Sequence, residues 1–240
     1  MHPYNIHTDL ACESEATHDA GKGGTAYTER EDGGFRVAKL QVKNAAGEAA
    51  TGKKCGSYVT IFTELLCDES AARLDTLAAL IAAEVEALAA AHLGGTPQCV
   101  LVAGLGNREI TADSIGPKTV DRLTVTRHIR VHDEALFRSF CRIPLCAVAP
   151  GVLGQTGIET AELIGGVAET AKRQGDIPVC VFSGGVSADA QALYQHGVDG
   201  LYAIADGPIT LQESSARAEE LLERTAESVV RTVLAAQRRR

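Results

Sequence analysis

Residues 99–104, CVLVAG, form a continuous apolar run with no polar residue at alternate positions. Such a run predicts a strand of a parallel sheet that is buried on both faces. Three more short apolar runs follow it, LCAVAP at 145–150, PVCVF at 178–182 and GLYAI at 200–204. Because segments with helical spacing lie between these runs, the pattern favours parallel strands joined by crossover helices.

The predicted helices separate the strands and close the chain, at residues 69–92, 114–123, 159–174, 188–197 and 213–236. The N-terminal third has a different pattern, since FRVAKLQV at 35–42 alternates and GSYVTIF at 56–62 is rich in β-branched and aromatic residues. The sequence therefore predicts an α/β fold. It should have a mainly parallel sheet with helices on both faces, plus antiparallel strands from the N-terminal third.

The domain organisation follows from where the pattern changes. Residues 1–34 are polar and rich in glycine, so we expect a flexible, propeptide-like N-terminal segment. Residues 35–176 should form the main α/β region. Residues 177–240 continue with strand, helix, strand and helix, and we expect them to complete the same domain.

Composition excludes several classes of partner. The chain has 240 residues, 45% of them hydrophobic, and a net charge of −8, which disfavours nucleic acid. The seven cysteines are dispersed and form no Cys-x-x-Cys pair, as is typical of free thiols in a reducing cytoplasm. The longest apolar stretch, 77–93, is alanine-rich and carries Glu84 and Glu86, so we expect a helix without a membrane span. His128 and His132 are four apart but lack the other ligands of a metal motif, and we expect no metal or cofactor.

The loop after the first buried strand, GLGNREITADSIGPK at 104–118, is the first candidate site. Gly104 and Gly106 allow a tight turn. A dinucleotide fingerprint would need a third glycine where Glu109 stands. Asp113 lies close to the predicted helix start, where spacing alone would favour a cap or first-turn acid.

The second candidate loop is APGVLGQTGIET at 149–160. Its glycines, Gly151, Gly154 and Gly157, predict a specifically shaped turn rather than a generic connection. Thr156 and Thr160 could alternatively cap the following helix.

Taken together, these segments resemble the germination protease family. The resemblance extends from IHTDLACES (6–14) through GKKCGSYVTI (52–61) and GLGNREITADSIGPKTVDRLTVTRHI (104–129) to APGVLGQTGIETAEL (149–163). It implies an aspartate-dependent endopeptidase that degrades small acid-soluble spore proteins. It also implies a zymogen in the cytoplasm of the spore core and a possible homo-oligomer.

The resemblance assigns Asp113 to the first family aspartate, within the T-x-D-x-x-G-P segment. Ser183 occupies the position of the second aspartate, so the pair of carboxylates is incomplete. A lone, solvated Asp113 would have an ordinary pKa of about 4. The resemblance further places self-cleavage near Thr8, Asp9 and Leu10. The implied site loops contain Gly104, Gly106, Asn107, Gly151, Gly154, Thr156 and Gly157.

From about residue 177 the chain resembles the C-terminal end of bacterial glycerate kinase, over PVCVFSGGVSADAQALYQHGVDGLYAIADGP and the helix that follows. Three interpretations of function stay open. The chain is an endopeptidase of the germination protease type, a catalytically inactive chimeric scaffold that binds a peptide or partner, or a phosphotransferase remnant.

Overall fold

The computed structural model describes seven segments of the chain, residues 23–62, 70–93, 99–110, 113–141, 143–173, 179–183 and 201–205. The chain divides into two compact units, Met1–Leu65 and Leu66–Arg240. The candidate site loops both belong to the second unit.

The described part of the first unit, residues 23–62, contains a three-stranded antiparallel sheet in the order β1-β2-β3 and one short helix. Its elements are β1 (Thr25–Asp32), β2 (Phe35–Val42), α1 (Ala45–Thr51) and β3 (Gly56–Phe62). Gly33 and Gly34 both have positive φ, which is the backbone that a tight two-residue hairpin turn requires. On β2, Leu40 and Val42 are buried and form a small core with Tyr27 and Tyr58.

Strand β1 lies inside the segment 1–34, for which the sequence predicted flexibility and no strand. Its sequence, TAYTERED, ends in exposed charged residues, so its composition resembles that of a polar tail. It pairs with β2 along its whole length, so the backbone N–H and C=O groups that face β2 are hydrogen-bonded. The prediction missed it because an edge strand with one exposed face carries little hydrophobic signal.

The second unit contains a four-stranded parallel sheet in the order β5-β4-β6-β7. Its strands are β4 (Val100–Leu105), β5 (Leu145–Val148), β6 (Val179–Ser183) and β7 (Leu201–Ala205). Its helices among the described residues are α2 (Ala71–Leu93), α3 (Ile115–Arg122), α4 (Arg127–His132), α5 (Glu134–Phe140), α6 (Leu153–Thr156) and α7 (Thr160–Arg173).

The apolar run at 99–104 forms the centre of this unit. Leu101, Ala103 and Leu105 on β4 are buried together with Ala161 and Ile164 of α7. Burial of this kind explains why the run has no polar alternation. Because β4 has a strand on each side, the loop that leaves its carboxyl end emerges in the middle of the sheet edge.

The coarse fold prediction is confirmed, since the chain is α/β with parallel strands and an antiparallel N-terminal sheet. The structure adds short helices that the sequence analysis did not predict, α1, α4, α5 and α6. The helices predicted at 188–197 and 213–236 lie outside the described residues.

None of the described helices has the length and apolarity that crossing a membrane requires. The cysteines whose side chains are described, Cys55, Cys99, Cys141 and Cys146, are free thiols.

Candidate active site

The loop between β4 and α3 carries Asp113 at the carboxyl edge of the parallel sheet. Ligands of open α/β sheets bind at this edge. Ser114, and not Asp113, is the N-cap residue of α3, and its carbonyl accepts the N–H of Lys118 at 3.0 Å. The carboxylate of Asp113 instead accepts the backbone N–H of Asn107 at 2.7 Å. The helix-cap interpretation of Asp113 is therefore wrong.

The backbone of this loop and of the start of α3 lies close to the end of β4 at three glycines. A Cβ on Gly104 would lie 2.2 Å from the carbonyl oxygen of Gly116, and one on Gly116 would lie 2.1 Å from that of Leu105. Gly106 has φ +121°, and a Cβ there would lie 2.0 Å from the carbonyl oxygen of Asp113. These positions require glycine, which explains the spacing of glycines around Asp113. The sequence analysis named Gly104 and Gly106 but missed Gly116.

This packing changes the expected acidity of Asp113. Burial is the largest effect and raises the pKa of Asp113, while the N–H of Asn107 acts in the opposite direction. The expectation of an ordinary, solvated carboxyl was therefore wrong. The expectation assumed that a polar loop leaves its carboxyl group in water. The glycines instead let β4 and α3 approach closely, and Asp113 is partly buried.

The second loop, 149–160, has the specific shape that its glycines predicted. Gly151 and Gly157 have φ of +78° and +71°. Gly154 lies within α6 and has open space around it, so neither its contacts nor its backbone requires glycine there. The Thr160 hydroxyl donates to the carbonyl of Gly151 at 3.1 Å and closes the loop on itself.

The two loops meet through a side-chain hydrogen bond. Nε2 of Gln155 donates to Oδ1 of Asn107 at 3.0 Å. The sequence analysis placed Asn107 among the site-loop residues but missed Gln155. A glutamine within a glycine-rich segment carries no distinctive signal, and only the folded arrangement brings residues 48 positions apart into contact.

Ser183 is the last residue of β6, the strand next to β4. Its backbone pairs in register with Leu105, the residue before Gly106. The position that the resemblance assigned to the second aspartate therefore lies at the same sheet edge as the Asp113 loop. The residue there is serine, which has no acid–base capacity near neutral pH without an activating base.

Asp121, another carboxylate near the loop, is hydrogen-bonded by Arg108. Both terminal guanidinium nitrogens of Arg108 contact Asp121 on α3, with Nη1 donating to Oδ2 and Nη2 donating to Oδ1 at 2.9 Å. This hydrogen bonding lowers the pKa of Asp121 and raises that of Arg108. The pair ties the loop to α3.

The remaining candidates fall into two groups. His128 and His132 are both exposed on α4. Among the described residues, no cluster of three histidine, cysteine or acidic side chains could hold a metal ion. Thr8, Asp9 and Leu10 lie outside the described residues.

Comparison with known proteins gives the family. Residues 5–184 match the family model described as germination protease. The chain belongs to the germination protease family. Residues 156–234 also match the glycerate kinase family model, so α7 and β6 fall within both matched ranges. The change of resemblance thus occurs within the parallel sheet.

Curated germination proteases agree with this assignment. The chain is 37% identical over 187 residues to that of a Clostridium perfringens strain, covering 74% of this chain and 54% of the relative. It is 34% identical to that of Oceanobacillus iheyensis, covering 71% and 48%. It is 31% identical to that of Priestia megaterium, covering 68% and 46%. The chain therefore spans about half the length of the curated relatives it matches.

Proposed function

We propose that the chain is an endopeptidase of the germination protease type, in which Asp113 is a catalytic carboxyl group and the second carboxylate is absent. The observation that carries the proposal is the partly buried Asp113, held by the Asn107 N–H in a loop whose glycines allow no side chain. We infer that its substrates are small acid-soluble spore proteins, because the chain belongs to the germination protease family.

The chemistry explains why we expect weak activity. Hydrolysis by a carboxyl pair needs one group to take a proton from water and another to hold or donate one. Burial raises the pKa of Asp113, which favours its protonated form more than water would. Ser183, at the end of the neighbouring strand, supplies no partner. Loss of a general acid or base costs about 10²–10⁴ in rate.

The second candidate function is a catalytically inactive scaffold that binds a peptide or another partner. Ser183 favours it, because the residue leaves a site built around one carboxyl group instead of two. The third, a phosphotransferase remnant, rests only on the match of residues 156–234 to the glycerate kinase family. We favour a structural role for that segment, since β6 and β7 extend the parallel sheet beside β4.

The finer architectural and cellular inferences accompany this proposal. We infer that helices cover both faces of the parallel sheet and that residues 177–240 complete the domain begun by the protease-like region. We also infer a location in the cytoplasm of the spore core, a zymogen processed near Thr8–Leu10, and a possible homo-oligomer. The net charge of −8 supports the absence of a nucleic acid partner.

The proposal is tested by incubating the purified full chain with a small acid-soluble spore protein and following cleavage by mass spectrometry. Slow cleavage that is lost in Asp113→Asn is expected. Saturable binding without any cleavage, equal in both proteins, would instead support the inactive scaffold. If the chain neither cleaves nor binds the spore protein, both functions are refuted.

A further inference from the structure

A continuous series of hydrogen bonds runs from the second loop to the carboxylate of Asp113. Oε1 of Gln155 accepts the N–H of Val152 at 3.4 Å. Nε2 of Gln155 donates to Oδ1 of Asn107 at 3.0 Å, and the same oxygen accepts the N–H of Glu109 at 3.0 Å. The N–H of Asn107 then donates to Oδ2 of Asp113 at 2.7 Å.

The direction of these bonds is fixed by the backbone groups at their ends. A backbone N–H can only donate, so Asn107 must present its oxygen to Glu109. The group of Gln155 that can then donate to the same oxygen is its NH₂. This leaves the oxygen of Gln155 for Val152, which is the orientation observed. The hydrogen bonds to backbone N–H groups thus fix the orientation of both side-chain amides.

We propose that Gln155 is a positioning residue, whose amide fixes Asn107 and thereby holds the N–H of Asn107 on the Asp113 carboxylate. The proposal rests on the proposed function for its catalytic meaning, but its structural content does not depend on activity. Asn107 follows Gly106, whose positive φ requires a special backbone, so the direction of the next N–H depends on what anchors the loop. Arg108 anchors the loop to α3, and Gln155 anchors it to the second loop.

The chain of donors and acceptors makes a specific demand on position 155. Gln155→Glu keeps the length, the shape and the acceptor for Val152, but its carboxylate has no proton to give to Asn107. If Asn107 flipped to offer its NH₂ instead, two donors would face each other at Glu109. A residue needed only for packing would tolerate this change, whereas a residue needed to donate a hydrogen bond to Asn107 would not.

The test is amide hydrogen exchange of the full chain, measured residue by residue by NMR. Gln155→Glu is compared with the unsubstituted chain and with Glu159→Gln, a matched change at an exposed position of the same loop. The protection factor of the Asn107 amide is expected to fall about three- to tenfold in Gln155→Glu, the effect of one net hydrogen bond. Glu159→Gln should leave it unchanged.

A second comparison separates loss of the hydrogen bond between Gln155 and Asn107 from a general loss of stability of the unit. In an Asn107→Leu background the oxygen acceptor is gone, so Gln155→Glu should cause no further loss of protection at residue 107. The amide of Val102, in the buried β4, reports the stability of the whole unit and should be unaffected throughout. Unchanged protection at residue 107 in Gln155→Glu, or an equal fall at Val102, would overturn the proposal. Exchange requires no turnover, so failure of the protease assay would leave this result standing.

Discussion

Asp113 is partly withdrawn from water, and this has a consequence for folding as well as for chemistry. Burial raises its pKa in the folded chain above the unfolded value of about 3.9. The protonated form is then the one that folding favours. Its stabilising contribution is fully present below the unfolded pKa and is lost as pH rises through the folded pKa. At neutral pH the ionised carboxylate is therefore a cost to stability.

The first prediction follows for Asp113→Asn. The amide keeps an oxygen for the N–H of Asn107 but carries no charge, so the variant should be more stable than the unsubstituted chain at about pH 7. The gain should vanish near pH 3, where Asp113 is protonated. Urea unfolding at the two pH values measures both. A variant that is less stable at neutral pH would mean that the ionic hydrogen bond outweighs burial.

The second residue-scale prediction concerns the pair of Arg108 and Asp121. Arg108 lowers the pKa of Asp121, so the stability that this pair contributes is present above the unfolded pKa of about 3.9 and is lost as pH falls through the folded pKa. Both side chains are about half exposed, at 47% and 51%, so Asp121→Asn should cost no more than about 1 kcal/mol. Glu134→Gln, which breaks the more exposed helical pair with Arg138, is the control and should cost less. A cost well above this range at high salt would contradict the assignment to a surface pair.

The sequence predicted part of this local chemistry. The motif resemblance assigned Asp113 to the first family aspartate and Ser183 to the position of the second, and both roles stay predictions. The resemblance could not predict the pKa shift of Asp113, because that shift depends on how closely β4 and α3 pack. Gln155 was missed for the same reason, since its role depends on a contact between two loops far apart in the chain.

At the scale of elements, the junction of β4 and α3 sets the geometry of the site. The third prediction is that Gly116→Ala costs about 1–3 kcal/mol, because its Cβ would lie 2.1 Å from the carbonyl oxygen of Leu105 and cannot be accommodated without backbone movement. Gly154→Ala, also in a helix but with open space around it, is the matched control. It should be neutral or stabilising by up to about 1 kcal/mol. Equal effects of the two changes in thermal unfolding would contradict the close packing.

Elements were predictable where their pattern was strong. The continuous apolar runs gave four strands close to those observed. Alternation gave β2, and β-branched and aromatic residues gave β3, both with their observed bounds. The polar edge strand β1 and the short helices α1, α4, α5 and α6 were missed. Helices of four to seven residues span at most two turns, too few to show a hydrophobic period.

At the scale of the whole molecule, the N-terminal segment offers a test of self-processing. The fourth prediction is that an active chain, incubated under mildly acidic conditions, loses its N-terminus near Thr8, Asp9 and Leu10. Intact-mass spectrometry over time would detect the loss, with Asp113→Asn as the control that should keep its N-terminus. Processing at an equal rate in the control would point to a contaminating protease.

The central claim is that this site belongs to the germination protease type but holds one carboxyl group where the chemistry needs two. The most direct measurement is the cleavage rate of a spore-protein peptide by four proteins, the unsubstituted chain, Ser183→Asp, Asp113→Asn and the double variant. We predict very weak cleavage by the unsubstituted chain and a rise of about 10² or more in Ser183→Asp. Both activities should be lost with Asp113→Asn. Strong cleavage by the unsubstituted chain that survives Asp113→Asn would contradict the account.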